Sequence, residues 1–242
     1  MSARTASPAL VRVYVWEWPV RVTHWLIVGS ILLSSATGLY IGSPFLISSG
    51  PAGQRFLMGT AKILHFYSAI VFTLSVLSRI VWAFAGNTYA RWDKFIPATR
   101  KRREGLLPTV RFYIFRMRKP PGFIGHNPLA GLTYSLVFVL FFVMITTGFA
   151  LYSASAATGS PMRLFRVLIP LVGGLQAARW THHVVMWLLL GFAVHHVYSA
   201  VLMSQIEGNG TIESIFSGYK FVPPEDLVYS GYRFVDRHDV RV

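Results

Sequence analysis

Residues 182–196, HHVVMWLLLGFAVHH, carry a histidine doublet at each end of an apolar segment. Histidine is costly in a hydrophobic span because even a neutral imidazole needs polar or metal partners there. On an α-helix, fourteen steps return a side chain to within about 40° of its starting direction, about 21 Å further along the axis. Only His182 and His196 are separated by fourteen residues, so these two share one helix face.

The composition is that of a membrane protein. Of the 242 residues, 53% are hydrophobic and only 13% are charged, whereas soluble domains carry about 25% charged residues. The chain contains no cysteine. This excludes disulfides, thiolate-ligated iron–sulfur clusters, thiolate zinc sites and covalently attached c-type haem.

Four segments are long and apolar enough to cross a hydrocarbon core, which takes about 20 residues of helix. They cover approximately residues 22–41, 63–85, 129–152 and 180–203. We therefore predict an all-α integral membrane protein whose four-helix bundle extends over residues 22–203. A segment at 1–21 precedes the bundle and a tail at 204–242 follows it.

The basic residues predict the direction of the spans. Seventeen Lys and Arg lie in the two terminal segments and the loop between spans two and three, against five in the opposite connections. Basic loops remain in the cytoplasm, so we expect both termini and this loop to be cytoplasmic. The net charge of +14 reflects this asymmetry. We expect the lipid bilayer, and no nucleic acid, as a partner because the charges do not form a binding face.

Depth sorts four of the histidines into two levels. His24 and His196 lie near the cytoplasmic ends of spans one and four, and we call them the inner pair. His65 and His182 lie near the outer ends of spans two and four, and we call them the outer pair. Each level therefore draws imidazoles from two different helices.

Haem b accounts for two opposed imidazoles at each level. Cofactors in helical bundles are bound by inward side chains of facing helices, and two neutral imidazoles fill both axial positions of a haem iron. Two such haems would carry single electrons across the membrane. The alternatives are interhelical hydrogen bonds, a zinc or copper site that lacks any carboxylate or thiolate, and a proton relay, although no Asp or Glu lies in a span.

Eight stretches together form a specific pattern. They are VYVWEWPVRVTHW (13–25), TGLYIGSP (37–44), FLMGTAKILHF (56–66), RIVWAFAGN (79–87), GHNPLA (125–130), TGFALY (147–152), THHVVMWLLLGFAVHHVY (181–198) and SGYK (217–220). This pattern resembles the b-type cytochrome subunit of membrane-bound NiFe hydrogenases. The wider family holds the formate dehydrogenase gamma-type and prokaryotic cytochrome b561-like di-haem membrane subunits.

The resemblance implies a subunit with two haems b in a bacterial inner membrane. It implies that the chain anchors the small and large subunits of a NiFe hydrogenase on the outer face and passes electrons from an iron–sulfur cluster to quinone. The family's iron ligands fall on His24, His65, His182 and His196, the same four residues that depth and helix geometry select. The sequence leaves open whether quinone is reduced on this electron-transfer subunit itself.

His126 and Asn127, at the cytoplasmic start of span three, are candidates for contacting quinone or its protons. The structural alternative is a cap, because Asn127 precedes Pro128 at the start of a helix. Two other functions stay open. A cytochrome subunit of formate dehydrogenase or thiosulfate reductase would have a different partner enzyme, and a membrane transporter with intramembrane histidines belongs to another class.

Overall fold

The computed structural model describes residues 10–46 and 56–229. The ends of the predicted terminal segments, at 1–9 and 230–242, lie outside the described residues. In chain order the elements are β1 (Val11–Tyr14), α1 (Trp18–Gly42), α2 (Leu57–Ala85), α3 (Arg100–Tyr113), α4 (Pro128–Ser155), α5 (Leu168–Leu171), α6 (Leu175–Glu207), α7 (Thr211–Ser217), β2 (Tyr219–Val222) and α8 (Pro224–Tyr229). Two 3-10 helices, Trp92–Lys94 and Pro161–Val167, complete the described structure.

Four of these helices, α1, α2, α4 and α6, are long and apolar enough to cross a membrane. They confirm the prediction of a mainly helical protein with four apolar spans. A helix suits this setting because it satisfies its backbone N–H and C=O groups internally, where lipid offers no partners. Each helix extends beyond the apolar segment that marks it in the sequence.

A small antiparallel sheet joins residues from the two ends of the chain. β1 pairs with β2 so that Val11 lies opposite Val222 and Tyr14 lies opposite Tyr219. Val13 and Val222 are each 1% exposed. The sequence prediction did not include this sheet, because two four-residue strands far apart in the chain give only a short alternating pattern.

The described residues form two compact units. The first comprises the described parts of residues 1–21, 81–137 and 193–242, and the second comprises residues 22–80 and 138–192. The core of the first unit consists of nine buried apolar side chains: Val13, Val15, Trp16, Val20, Tyr89, Ala90, Ile124, Val222 and Leu227. In the second unit, Phe72 of α2 packs edge-on against Phe141 of α4, with ring centres 5.0 Å apart.

Glu17 stabilises the end of α2 within the first unit. One of its carboxylate oxygens accepts hydrogen bonds from Trp82 Nε1 at 2.8 Å and from the Asn87 backbone N–H at 2.7 Å. The Asn87 side chain in turn donates to the Val15 carbonyl oxygen at 3.1 Å. Glu17 of the stretch at 13–25 and Trp82 and Asn87 of the stretch at 79–87 therefore act together at this helix terminus.

The basic loop contains an amphipathic helix, α3. Thr99 caps it by accepting a hydrogen bond from the Arg102 backbone N–H at 3.3 Å. A stripe of buried residues with helical spacing lies along one face: Arg102, Gly105, Thr109 and Phe112. One arginine of the basic run at 100–103 is therefore buried, whereas the sequence pattern alone suggested that the whole run is exposed to solvent and serves to set the membrane orientation.

Candidate functional site

His65 on α2 and His182 on α6 face each other within the second compact unit. Their imidazole ring centres are 6.4 Å apart, and the ring planes are inclined by 56°. Both side chains are part-buried, whereas the adjacent His183 is exposed. The structure thus brings together the two residues of the outer pair.

The Nδ1 atom of His65 is held by α1. It lies 3.0 Å from the Ser34 carbonyl oxygen and 3.1 Å from Thr37 Oγ1. Because a carbonyl oxygen can only accept, Nδ1 carries the proton and donates it. The Nε2 atom is then the unprotonated ring nitrogen, and its lone pair is available to a metal ion.

The Nδ1 atom of His182 is held by α4 in the same way. It lies 2.9 Å from Thr147 Oγ1 and also forms a hydrogen bond with the backbone of Met144. The backbone acceptor again assigns the proton to Nδ1. The outer pair therefore presents two Nε2 lone pairs, each on an imidazole whose tautomer is fixed by a neighbouring helix.

Two glycines allow these helices to approach the imidazoles closely. A Cβ atom at Gly38 would lie 3.2 Å from Cε1 of His65, and one at Gly148 would lie 3.3 Å from Cε1 of His182. Carbon atoms prefer separations of about 3.5–4.0 Å. A side chain at either position would therefore require the adjacent ring to shift by a few tenths of an ångström.

The outer pair fits two imidazoles on opposite sides of one metal ion. An imidazole nitrogen lies about 2 Å from a bound metal, so two opposed rings place their centres about 6 Å apart. The observed separation is 6.4 Å. Metal-bound histidines usually donate their other N–H to a carbonyl or similar acceptor, as both residues do here.

The donor set differs from that of a protein zinc site. Within residues 10–46 and 56–229, no group of three or more His, Cys, Asp or Glu side chains could hold a metal ion. Zinc sites use three or four protein ligands, whereas a haem iron takes its four equatorial nitrogens from the porphyrin and needs only axial ligands from the protein. Two facing imidazoles therefore suit haem.

The surroundings of the inner pair are more aromatic. His196 on α6 lies with its Nδ1 3.4 Å from the Tyr134 hydroxyl, and the two rings pack edge-on at 5.7 Å. His24 on α1 belongs to the second unit and packs edge-on against Trp25 at 5.1 Å. The pairing of His24 with His196 stays a prediction.

The two histidine doublets differ in exposure in the manner that the shared-face argument requires. His182 and His196 are part-buried, whereas His183 and His195 are exposed. His195 Nε2 lies 3.4 Å from Ser199 Oγ, one turn further along the same helix. Burial therefore separates the members of each doublet, and it favours His182 and His196 as the inward-facing pair.

Asn127 has a clear structural role. Its Oδ1 atom accepts a hydrogen bond from the Ala130 backbone N–H at 2.8 Å, which caps the start of α4 at Pro128. Its Nδ2 atom lies 3.5 Å from the Tyr113 hydroxyl. The capping alternative considered for the sequence is therefore present in the structure, and the quinone contact of Asn127 stays a prediction.

His126 lies among three aromatic rings of the first unit. Its ring centre is 4.7 Å from Trp16, 4.8 Å from Tyr134 and 5.4 Å from Phe95. Tyr134 also contacts His196. A side chain that can carry a proton thus lies one aromatic ring away from a predicted iron ligand.

Arg102 holds the backbone of His126 and Asn127 in place. Arg102 as a residue is 6% exposed, and its guanidinium donates to the carbonyl oxygens of His126 at 3.1 Å and Asn127 at 3.4 Å, and to that of Lys94. Burial lowers the pKa of Arg102, and the nearby Asp93 carboxylate opposes this effect. Arginine nevertheless stays charged in proteins, and these carbonyl dipoles partly replace its water of hydration.

Sequence reasoning missed four residues that support the predicted iron ligands or the quinone candidates: Thr37, Thr147, Arg102 and Tyr134. One signal was available for the first two, because a Thr-Gly dipeptide occurs in TGLY on the first span and again in TGFALY on the third. The other two gave no signal, since Arg102 stands in a run of similar charges and Tyr134 in an apolar helix.

Similarity to known proteins extends over the part of the chain that contains this site. A family model described as prokaryotic cytochrome b561 matches residues 15–218. The chain belongs to this family. Cytochromes of the b type carry haem b, so family membership together with four apolar helices makes this protein a multi-pass membrane cytochrome with haem b.

Named relatives cover most of the cytochrome. A probable Ni/Fe-hydrogenase B-type cytochrome subunit of Cupriavidus necator is 36% identical over 221 residues, which span 90% of this chain and 91% of the relative. The protein of that name from Azotobacter chroococcum is 38% identical over 211 residues, or 86% and 88% of the two chains. The probable Ni/Fe-hydrogenase 1 B-type cytochrome subunit of Escherichia coli K12 is 36% identical over 219 residues, or 88% and 93%.

These relatives confirm the resemblance that the eight sequence stretches indicated. Membership in a cytochrome family also favours the haem interpretation of the intramembrane histidines over the transporter alternative.

Proposed function

We propose that this cytochrome is the membrane subunit of a NiFe hydrogenase and passes electrons from the iron–sulfur small subunit to the quinone pool. The names of the relatives support the hydrogenase association. The observation that carries the electron-transfer role is the facing of the His65 and His182 rings at 6.4 Å with both Nδ1 atoms engaged.

In this proposal the outer pair and the inner pair each hold one haem iron. Haem supplies reversible one-electron transfer when bound. His65 and His182 are oriented by hydrogen bonds from their Nδ1 atoms, and their two Nε2 atoms would hold the iron of the outer haem. His24 and His196 are assigned to the inner iron on depth and shared helix face. If two histidines hold each iron, these residues would exclude oxygen and peroxide from it.

The proposed orientation puts both termini in the cytoplasm and the hydrogenase subunits on the outer side of a bacterial inner membrane. The seventeen basic residues of the terminal segments and the long loop, against five in the opposite connections, support this orientation because basic loops resist translocation. Electrons would then enter at the outer pair and leave at the inner pair.

We assign the quinone contact to the neighbourhood of His126 and Asn127. The contact between His126 and Tyr134, and that between Tyr134 and His196, support this assignment. If protons for quinol are taken from the cytoplasm while hydrogen oxidation releases protons outside, turnover builds a membrane potential.

Isolation of the intact complex from native membranes tests this function. We expect nickel to co-purify, two haems b per chain, and a reduced-minus-oxidised b-type spectrum that develops on adding hydrogen and disappears on adding a quinone analogue. A molybdenum or tungsten enzyme as partner would instead identify a formate dehydrogenase or thiosulfate reductase subunit. A measured content of one haem per chain would contradict the proposed inner haem site.

A further inference from the structure

We propose that Thr37 and Thr147 are a matched pair of positioning residues, which set the tautomer, the ring rotation and the donor strength of the two outer imidazoles. This inference rests on the proposed ligation by His65 and His182. Neither threonine is a ligand itself. Each acts through the histidine of the neighbouring helix, at 3.1 Å for Thr37 and 2.9 Å for Thr147.

The two threonines have the same local geometry. The Thr37 hydroxyl donates to the carbonyl oxygen four residues back, that of Leu33, at 2.7 Å, and Thr147 does the same to Val143 at 2.7 Å. Each is followed by the glycine that admits its histidine. The two Thr-Gly dipeptides are 110 residues apart, and their histidines are 117 residues apart.

The hydrogen bond inside the helix decides the direction of the one to histidine. Since each hydroxyl hydrogen is directed to a carbonyl oxygen of its own helix, the threonine oxygen offers only lone pairs to the imidazole. The Nδ1 atom must then be the donor. Thr37 is 9% exposed and Thr147 is 1% exposed, so water cannot easily replace either acceptor.

Acceptors on Nδ1–H make an imidazole a stronger electron donor to its metal. A stronger donor stabilises ferric over ferrous iron, and the two threonines should therefore lower the midpoint potential of the outer haem. They should also fix the angle between the two ring planes. Removing either hydroxyl leaves the Nδ1 atom of its histidine with a single backbone acceptor. The ring is then held less firmly in its orientation.

The test uses the intact complex with Thr37→Val, Thr147→Val and both together, since valine keeps the shape of threonine without its hydroxyl. We expect one of the two haem midpoint potentials to move upward by a similar amount in each single variant and by more in the double variant. The low-temperature electron paramagnetic resonance signal of that same haem should shift, and haem transfer to apomyoglobin should be up to about tenfold faster.

Thr73→Val is the matched control, because Thr73 donates to the carbonyl of Ala69 at 2.8 Å on α2. Among the described residues it forms no hydrogen bond with a histidine. Thr37→Ser and Thr147→Ser retain the hydroxyl, so we expect both to restore the wild-type potential and spectrum. If one single valine variant fails to assemble, the other still carries the test.

Two results would overturn the positioning role: unchanged potentials and resonance signals in both valine variants, or serine variants that shift as far as the valine variants. Either result would leave the proposed function intact. The ligation itself fails separately, if His65→Ala or His182→Ala retains both haems.

Discussion

The outer pair and the inner histidine His196 have different surroundings. Each outer imidazole has a threonine hydroxyl within 3.1 Å of its Nδ1 atom. Each also forms a hydrogen bond with a backbone group of the neighbouring helix. The Nδ1 atom of His196 instead faces the Tyr134 hydroxyl at 3.4 Å, and Tyr134 packs against His126. The outer surroundings hold an imidazole in one orientation, whereas the inner surroundings place side chains that can carry protons beside the predicted ligand.

The two levels also differ in which residues recur at fixed sequence offsets between helices. The offset of 110 residues that relates the two Thr-Gly dipeptides also relates His24 to Tyr134. The offset of 117 that relates His65 to His182 also relates Arg79 to His196. The same helix positions therefore carry matched residues at the outer level and unlike residues at the inner level. Tyr134 and Arg79 stand where a strictly repeated chain would have two more histidines.

The largest effect should come from removing an outer ligand. If the chain holds two haems as proposed, we expect His65→Ala or His182→Ala to reduce the haem content to one per chain, because a lone imidazole would hold the outer haem too weakly to retain it. Pyridine haemochrome analysis of the purified complex measures this. His183→Ala is the control, since His183 is exposed beside His182, and it should retain both haems.

The second doublet provides the corresponding comparison at the inner level. We expect His196→Ala to remove the inner haem, whereas His195→Ala keeps it, because His196 is part-buried and His195 is exposed. Visible spectra of the two variants at matched protein concentration measure the loss. Equal losses, or a larger loss for His195→Ala, would contradict the shared-face argument for His182 and His196.

A smaller effect should follow from removing the side-chain hydrogen bonds that Arg102 donates to the backbone at His126 and Asn127. We expect Arg102→Gln to lower the free energy of unfolding by about 2 kcal/mol, because it leaves buried carbonyl oxygens without their charged donor. Quinone reduction should fall while the haem content is retained. Thermal unfolding and hydrogen:quinone turnover measure the two effects. The adjacent Arg103, which is exposed, gives the control Arg103→Gln, and equal effects in both variants would argue against this role.

The smallest effect should come from Tyr134→Phe. At 3.4 Å the contact between the Tyr134 hydroxyl and His196 is long for a hydrogen bond from a hydroxyl. We therefore expect the inner midpoint potential to change less than the outer potential does in Thr37→Val. Potentiometric titration of both variants measures the ranking. A larger shift in Tyr134→Phe would mean that the two levels are supported alike.

Sequence patterns predicted the large elements well because each depends on local composition. Twenty consecutive apolar residues give a membrane helix wherever they occur, and the fourteen-residue spacing of His182 and His196 follows from regular helix geometry. The sheet of β1 and β2 was missed because it depends on pairing between distant segments. The burial of Arg102 was missed because its neighbours in the basic run carry the same charge.

The sequence by itself determined four apolar helices, the position of each histidine along its helix and the family pattern, since these depend on residue type and position along one helix. Only the tertiary structure decided which groups hold the outer imidazoles. Thr37 meets His65 across 28 residues of chain, and Thr147 meets His182 across 35. Such contacts depend on how adjacent helices are rotated and how closely Gly38 and Gly148 let them approach, which no single helix specifies.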